Sequence, residues 1–356
     1  MRTRLGLGLA PASRVGLLLV PVGIALGPEG IGLLTPGTLS LLEPAMPVAC
    51  AAVGLFAGLG LDLRRRTDDR LLVAASQEAL TTALLVAGGV LVFQHIAFSA
   101  DRVSWQLALL LGICAASSAS RADETPDSVP SPAARIGELD DVLPIVVGGV
   151  TLAVALHGGD RTVAWLILQA VLLAAVFAFA GCLLVAQTSS ETEQRVFVVG
   201  TLLLLGGAAA YLSLSALVAG FIAGVLWNAV GGAVREHLER SVRGLQHPLV
   251  ALLLLVAGAR CRFSAWALGV AAVYLALRIA GKLAGAWLSA RTVVSGSSPS
   301  LGLQLVSPGV VAVAFALNAL QLGPADVMEV LLTAVVLGSI GSELLAWAAA
   351  RPTVAE

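Results

Sequence analysis

The chain has 356 residues, of which 58% are hydrophobic and 12% are charged, and its formal net charge at pH 7 is −1. This composition excludes an ordinary soluble protein, whose surface needs far more charge, and it gives no reason to expect a nucleic-acid partner. The apolar runs are continuous rather than alternating, which argues against membrane-spanning strands and predicts helices.

Twelve apolar stretches follow one another along the sequence. Because a helix needs about 20 residues to cross a bilayer, we predict an all-α polytopic membrane protein with about 12 transmembrane helices. The seventh and eighth are separated only at Tyr211, where the run has no polar break. The predicted spans are 14–34, 44–62, 72–98, 103–122, 138–157, 161–187, 194–210, 212–230, 247–262, 264–290, 299–321 and 325–349.

The loops on the two sides of this arrangement differ in their basic residues. Of the 21 lysines and arginines, 15 fall on one side, four fall on the other, and two lie inside a span. By the positive-inside rule, both termini are then cytoplasmic. No long polar block remains, so residues 1–356 are expected to form a single transmembrane domain without a soluble regulatory domain.

Two spans are rich in small residues, and two others carry carboxylates well inside their apolar runs. The glycines of 54–61 and 216–226 would allow close packing of helices. Glu78 lies in the third span and Glu343 in the twelfth. Each is either a secondary relay, a partner for a buried base, or part of a structural ion pair.

Four further ionisable side chains stand out within the predicted spans, since an ionisable residue deep in a span costs roughly 2.5–3.5 kcal/mol on insertion scales. Asp140 and Asp141 lie near the cytoplasmic end of the fifth span. Arg278 and Lys282 lie four residues apart in the tenth, on one helix face. Because buried charges persist when they are paired, we expect these bases to face the aspartates. Alternatively, the aspartates begin a helix at the surface and the bases extend to the cytoplasm.

The fourth and eleventh spans are interrupted by polar, proline and glycine residues. Interrupted membrane helices are tolerated where they line a cavity or a binding site. If the two halves of the chain are inverted repeats, the two interruptions occupy corresponding positions, as in many transporters. A proline kink and an ordinary helix end would give the same pattern. The residues expected to line the site are Ser117, Ser118, Ser307, Pro308 and Gly309.

Adjacent carboxylates beside a base suit the exchange of a monovalent metal ion for protons. Asp140 and Asp141 can coordinate Na⁺ or Li⁺ and take up protons when the cation leaves, so the two ligands compete for one site. We predict a transporter rather than an enzyme, with Na⁺ favoured, K⁺ as the alternative cation, and no cofactor. An organic-anion/Na⁺ symporter and a non-transporting membrane sensor are the other hypotheses.

Six segments distributed over the chain carry a family resemblance. They are GIALGPEGIGLL at 23–34, VGLFAGLGLDLRR at 53–65, CAASSAS at 114–120, LDDVLPIV at 139–146, LSLSALVAGFIAGVLWN at 212–228 and LALRIAGKLAGAWL at 275–288. In order and spacing they resemble the cation:proton antiporter superfamily, in its Kef-like and bacterial Na⁺/H⁺ antiporter branches (the sodium/hydrogen exchanger family).

The resemblance implies a homodimer in the bacterial inner membrane that works by elevator-like alternating access. It implies a core of about 72–157 and 264–349, in which the fourth and eleventh spans cross, and a dimerisation panel of about 14–62 and 194–262. Asp141 would be the main cation and proton carboxylate, and Asp140 would pair with Arg278 or Lys282. The 307–309 interruption departs from the family, because it lacks the charged residue often found there.

Overall fold

The computed structural model describes residues 18–61, 69–97, 104–119, 136–137, 139–157, 163–188, 190–230, 232–292, 302 and 305–349. In these ranges the chain forms helices and no strand. The helices are α1 (Leu19–Leu26), α2 (Pro36–Leu42), α3 (Ala45–Gly60), α4 (Asp69–Ala97), α5 (Trp105–Ala116), α6 (Val142–His157), α7 (Val163–Gln187), α8 (Glu191–Tyr211), α9 (Ala216–Val230), α10 (Gly232–Ala259), α11 (Ala265–Thr292), α12 (Val310–Leu322) and α13 (Ala325–Ala349).

Five of the described helices are long and apolar enough to cross a membrane. They are Leu71–Ala97 of α4, α7, α8, α11 and Ala325–Ala348 of α13. Helices α2 and α3 form a sixth candidate as a pair bent by 52°, and α5, α6, α9, α12 and part of α10 are shorter apolar helices. The protein is therefore an all-helical, multi-pass membrane protein. The count of 12 spans stays a prediction, and both termini and residues 120–135 lie outside the described ranges.

Helix α7 shows how these helices meet the bilayer. Its inner face is lined mainly by small residues, namely Ala170, Ala174, Ala178 and Gly181. Large apolar side chains are exposed on its outer face, among them Leu172, Val176 and Phe179. A soluble protein would bury these large side chains, whereas in lipid they cost nothing outside and the small residues let neighbouring helices approach.

The helices fall into two groups by their contacts. Helices α4, α5, α6, α11, α12 and α13 pack mainly on one another, as do α1, α3, α7, α8, α9 and α10. Helix α12 also touches α3 and α10 of the second group. The predicted division into a core of about 72–157 and 264–349 and a dimerisation panel of about 14–62 and 194–262 stays a prediction.

Glycines bring α3 and α9 into backbone contact, as predicted from the small-residue segments. A β-carbon at Gly54 would collide with the backbone of Leu217, and one at Gly220 would collide with the backbone of Ala51. Because neither position can hold a side chain, the two helices cross at the shortest separation that backbones allow.

Helices α4 and α11 approach each other in the same way in the first group. A β-carbon at Gly281 would lie 3.0 Å from Cα of Thr82, and one at Gly285 would lie 3.0 Å from the carbonyl oxygen of Glu78. Lys282, which directly follows Gly281, is therefore held against α4, and its side chain is fully buried.

A cavity and a polar contact lie between the two helix groups. An apolar cavity of about 200 Å³ separates the middle of α6 from α7 and α9. Nearby, Asn318 of α12 donates from Nδ2 to Oγ of Ser215 at 3.2 Å and accepts from the backbone N–H of Leu217 at 3.4 Å. The side chain of Asn318 is buried, so this contact ties α12 to the turn between α8 and α9.

Candidate functional site

The ammonium of Lys282 lies at the centre of a buried ionic cluster. Its Nζ is 3.0 Å from Oε2 of Glu78 and 3.2 Å from Oδ2 of Asp140, and it donates to the carbonyl of Ala116 at 2.6 Å. An ammonium has three N–H donors, so each donor has one acceptor. Glu78 lies on α4, Asp140 lies in the turn before α6, and Lys282 lies on α11. All three side chains are at most 1% exposed.

Hydroxyl groups hold the two carboxylates of this cluster. Thr82, one turn along α4, donates to Oε1 of Glu78 at 3.1 Å. Ser118, just after α5, donates to Oδ2 of Asp140 at 2.7 Å. The other oxygen of Asp140, Oδ1, is buried and receives no hydrogen bond from the described residues. The carboxyl groups of Glu78 and Asp140 thus meet at the same ammonium group.

Asp141 has a separate environment directly before α6. Its side chain is half-buried, and Oδ1 accepts a hydrogen bond of 2.5 Å from Oγ of Ser117. A β-carbon at Gly309 would lie 3.0 Å from the same Oδ1 and would collide with Oγ of Ser117. Glycine at 309 therefore leaves open the space beside this carboxylate. A helix N-terminus such as that of α6 also favours negative charge.

The interruptions of the fourth and eleventh spans meet at this point. Helix α5 ends at Ala116 and α12 begins at Val310, and the N–H of Ala119 donates to the carbonyl of Ser307 at 2.9 Å. Oγ of Ser307 donates to Oε2 of Glu343 on α13 at 2.7 Å. The acidic group that the sequence lacks within the 307–309 interruption is thus supplied by a neighbouring helix.

Arg278 ties the two interruptions together through their main chains. Its Nη2 donates to the carbonyl of Ser117 at 2.7 Å, and its Nη1 donates to the carbonyl of Val306 at 2.9 Å and to Oγ of Ser342 at 3.0 Å. Broken membrane helices expose carbonyls that need donors, and a cation is favourable near helix C-termini. Arg278 meets both needs.

Acidic groups outnumber basic groups around the interruptions. Four carboxyl groups (Glu78, Asp140, Asp141 and Glu343) lie near two bases, Arg278 and Lys282, among the described residues. Within this set, the pair with Lys282 contains two carboxyl groups, Glu78 and Asp140, against one ammonium.

No protein-family model matches the chain, and no curated protein matches it in sequence. A solved structure does match: the sodium proton antiporter MjNhaP1 from Methanocaldococcus jannaschii at pH 8 aligns with a TM-score of 0.68. The alignment covers 96% of this chain and 98% of the other at 15% sequence identity. The chain has an antiporter fold. The family resemblance inferred from the sequence is thus confirmed at the level of the fold.

Within this antiporter fold, every side chain singled out in the sequence lies in the described ranges. The structure selects Lys282 rather than Arg278 as the base that contacts Asp140. The alternative of a surface position is wrong for Asp140, Arg278 and Lys282, because all three are buried. Pro308 is buried in the interruption between Ser307 and Gly309. The transport roles of these residues stay predictions.

Glu78 is a direct partner of the buried lysine. Of the interpretations that the sequence left open for it, the structure shows an ion pair, because Glu78 contacts Lys282 as closely as Asp140 does. A signal was present, because Glu78 is the only acidic residue in the apolar stretch Leu71–Ala97. Lone ionisable residues in membrane spans are functional candidates.

In the described ranges, no group of three or more His, Cys, Asp or Glu side chains is arranged to hold a metal ion.

Proposed function

We propose that this protein is a secondary active antiporter that exchanges a monovalent cation for protons. Na⁺ or Li⁺ is the favoured cation, and K⁺ is the alternative. The observation that carries the proposal is the position of Asp140 and Asp141, two adjacent carboxylates beside a buried lysine where two interrupted helices meet. The likeness of the fold to a sodium proton antiporter supports it.

Asp141 is the carboxylate best placed to bind the cation. It is the more exposed of the two aspartates, Gly309 leaves space beside Oδ1, and the Ser117 hydroxyl lies 2.5 Å away. In the absence of a cation this hydroxyl donates to the carboxylate. When a cation binds, the hydroxyl can rotate and offer its lone pairs as a second oxygen ligand. Protonation of Asp141 removes the charge that binds the cation, so cation and proton exclude each other.

Alternating access would come from movement of the first helix group against the second. In this proposal α4, α5, α6, α11, α12 and α13 form the moving core, in which the two discontinuous helices cross, and the second group carries the homodimer contact. The apolar cavity between α6 and α9 leaves that boundary loosely packed, which eases sliding. We place the protein in the bacterial inner membrane with both termini cytoplasmic.

The test is cation-dependent proton movement in proteoliposomes that contain a ΔpH-sensitive dye. Addition of Na⁺, Li⁺ or K⁺ in separate runs should dissipate an imposed pH gradient and rank the three cations. Asp141→Asn should abolish the response. The matched control is Glu43→Gln, which changes a glutamate paired with Arg260, and it should retain the wild-type response.

Other outcomes would favour the other hypotheses. Full activity of Asp141→Asn would contradict the assignment of the cation site. Uptake of an organic anion with Na⁺, without proton movement, would indicate the symporter. Absence of any flux in the wild type, with aspartate variants that alter binding of a partner protein, would indicate a membrane sensor.

A further inference from the structure

We propose that the apolar cavity between α6, α7 and α9 is a binding site for an acyl chain of a membrane lipid. The cavity has a volume of about 200 Å³ and lies at the boundary between the two helix groups. This inference concerns a ligand other than the transported ions, and it holds whether or not the protein is an antiporter.

The lining of the cavity favours hydrocarbon over water or an ion. Among the described residues that line it, none is charged, and the polar side chains are Ser213 and Ser215. The Ser215 hydroxyl already accepts from the backbone N–H of Val218 at 3.3 Å and from Nδ2 of Asn318 at 3.2 Å. A buried water needs two to four polar partners, and an engineered apolar cavity of about 150 Å³ in another protein stays dry and takes up small apolar molecules.

The space exists because small residues face it without bringing α6 and α7 together. Gly149 of α6 and Ala170 of α7 both line the cavity. Helix α6 rests on α9 here, since a β-carbon at Gly149 would collide with Cγ2 of Val218. Small residues usually let neighbouring helices approach, but α7 does not close this gap. The walls of an empty gap lose dispersion contacts, so the cavity favours an apolar occupant.

The cavity is continuous with the surface that faces the bilayer. Val146 and Val150 of α6 and Ile167 of α7 line it, and these side chains are between 36% and 45% exposed. Large apolar side chains that a membrane-spanning helix exposes are in contact with lipid tails, which are as apolar as leucine. The hydrocarbon next to the mouth of the cavity is therefore an acyl chain, and this chain is the occupant that the geometry indicates.

Exposed aromatic residues mark the depth of the cavity in the membrane. Trp165 near the start of α7 and Tyr211 at the end of α8 are both exposed, and Trp and Tyr are enriched at membrane–water interfaces. Helix α7 runs into the membrane from Trp165, so Ile167 and Ala170 lie deeper than this residue. The cavity is thus at the depth of the acyl chains, below the level of the head groups.

The test is photo-crosslinking of the full chain in nanodiscs of phosphatidylcholine that carries a diazirine in one acyl chain. Leu152 and Leu166 line the cavity and are 1% and 2% exposed, so a chain that stays outside the protein cannot reach them. After illumination, mass spectrometry should find adducts on these two residues as well as on the exposed Leu84 of α4. Adducts on exposed residues alone would overturn the proposal.

Ala170→Phe should fill the cavity and exclude the chain. The adducts on Leu152 and Leu166 should fall several-fold relative to those on Leu84. The matched control is Ala180→Phe, at an exposed position of the same helix, and it should keep the wild-type pattern. Equal adducts on the two buried leucines in both variants would contradict the site.

The wild-type pattern keeps the test decisive should Ala170→Phe fail to fold, because it needs no variant. Cation-dependent proton movement in proteoliposomes separates this proposal from the proposed function. Adducts on Leu152 and Leu166 without any exchange would support the acyl-chain site and remove the antiport. Exchange without these adducts would overturn the acyl-chain site and leave the antiport intact.

Discussion

Ser117 and Asp141, which are 24 residues apart in sequence, are joined by a hydrogen bond of 2.5 Å from the serine Oγ to Oδ1 of the aspartate. The next serine binds the preceding aspartate, since Ser118 donates to Asp140 at 2.7 Å. Two consecutive residues of the segment after α5 thus hold two consecutive residues before α6. The interruption of the fourth span provides these hydroxyls, because consecutive residues of a segment that is no longer helical can both direct their side chains to the same neighbouring segment.

Ser117→Ala should weaken the apparent affinity for Na⁺ without preventing folding. The change removes a hydrogen bond worth about 0.5–1.5 kcal/mol to Asp141 and a proposed ligand oxygen, so the KM for Na⁺ should rise by a few-fold to about tenfold. Exchange by proteoliposomes at a series of Na⁺ concentrations measures this. Thr188→Ala is the control, since its hydroxyl binds the main chain of α7. An unchanged KM would exclude Ser117 from the cation site.

Arg278→Gln should lower the thermal stability of the protein in detergent. The guanidinium satisfies the buried carbonyls of Ser117 and Val306, and each unsatisfied buried polar group costs about 1–3 kcal/mol. Differential scanning fluorimetry should show a lower Tm. Arg278→Lys should be intermediate, because lysine keeps the charge but not the planar fork.

A control for this change lies on the same helix. Arg291→Gln alters an exposed arginine that stacks on Trp287 at 4.0 Å, and it should leave Tm close to that of the wild type. If Arg278→Gln were as stable as Arg291→Gln, a structural role for Arg278 would be contradicted.

The sequence could predict which residues form the site better than how they pair. Asp140, Asp141, Arg278 and Lys282 were identifiable because ionisable side chains are rare in membrane spans. The sequence could not tell whether Arg278 or Lys282 contacts Asp140. The two bases are four residues apart, which is about 6 Å along a helix and comparable to the uncertainty of a predicted span boundary. The position of α11 along α4 decides which base reaches Asp140, and that position depends on the packing of Gly281 and Gly285 against α4.

Glu78 shows a second limit. Its burial could be expected from the apolar run around it, but its partner depends on how α4 is rotated about its axis. Asn318 was not identified at all, since a single amide in an apolar helix carries no pattern, and its contacts come from residues about 100 positions earlier in the chain.

Gly220→Val should separate α3 from α9 and reduce the yield of monodisperse protein. A side chain at this position meets the backbone of Ala51, and overpacking costs about 1–3 kcal/mol or more when backbone must move. Size-exclusion chromatography and Tm measure the effect. Gly207→Val is the matched control, because a β-carbon there meets nothing within 4 Å. Equal behaviour of the two variants would contradict the close packing of α3 and α9.

Asn318→Leu should loosen the turn between α8 and α9 from α12. Oδ1 of Asn318 accepts from the N–H of Leu217, and Nδ2 donates to Ser215; leucine has a similar volume but neither group. Hydrogen–deuterium exchange of peptides that cover 213–218 should become faster, by about tenfold for each 1.4 kcal/mol lost from the opening free energy. Gln321→Leu, at an exposed position of the same helix, should leave this rate unchanged.

If the protein works by the proposed alternating access, the contact of Asn318 bears on transport, because it joins the two helix groups that would move relative to each other. Asn318→Leu should favour the state in which α12 no longer contacts the turn between α8 and α9. Hydrogen–deuterium exchange of the amides of 213–218 should then respond less to Na⁺ than in the wild type. Equal exchange at 213–218 in Asn318→Leu and wild type would show that this amide does not restrain the turn. The boundary would then be held by its other contacts, among them the apolar packing around Leu214 and Leu322, which line the cavity.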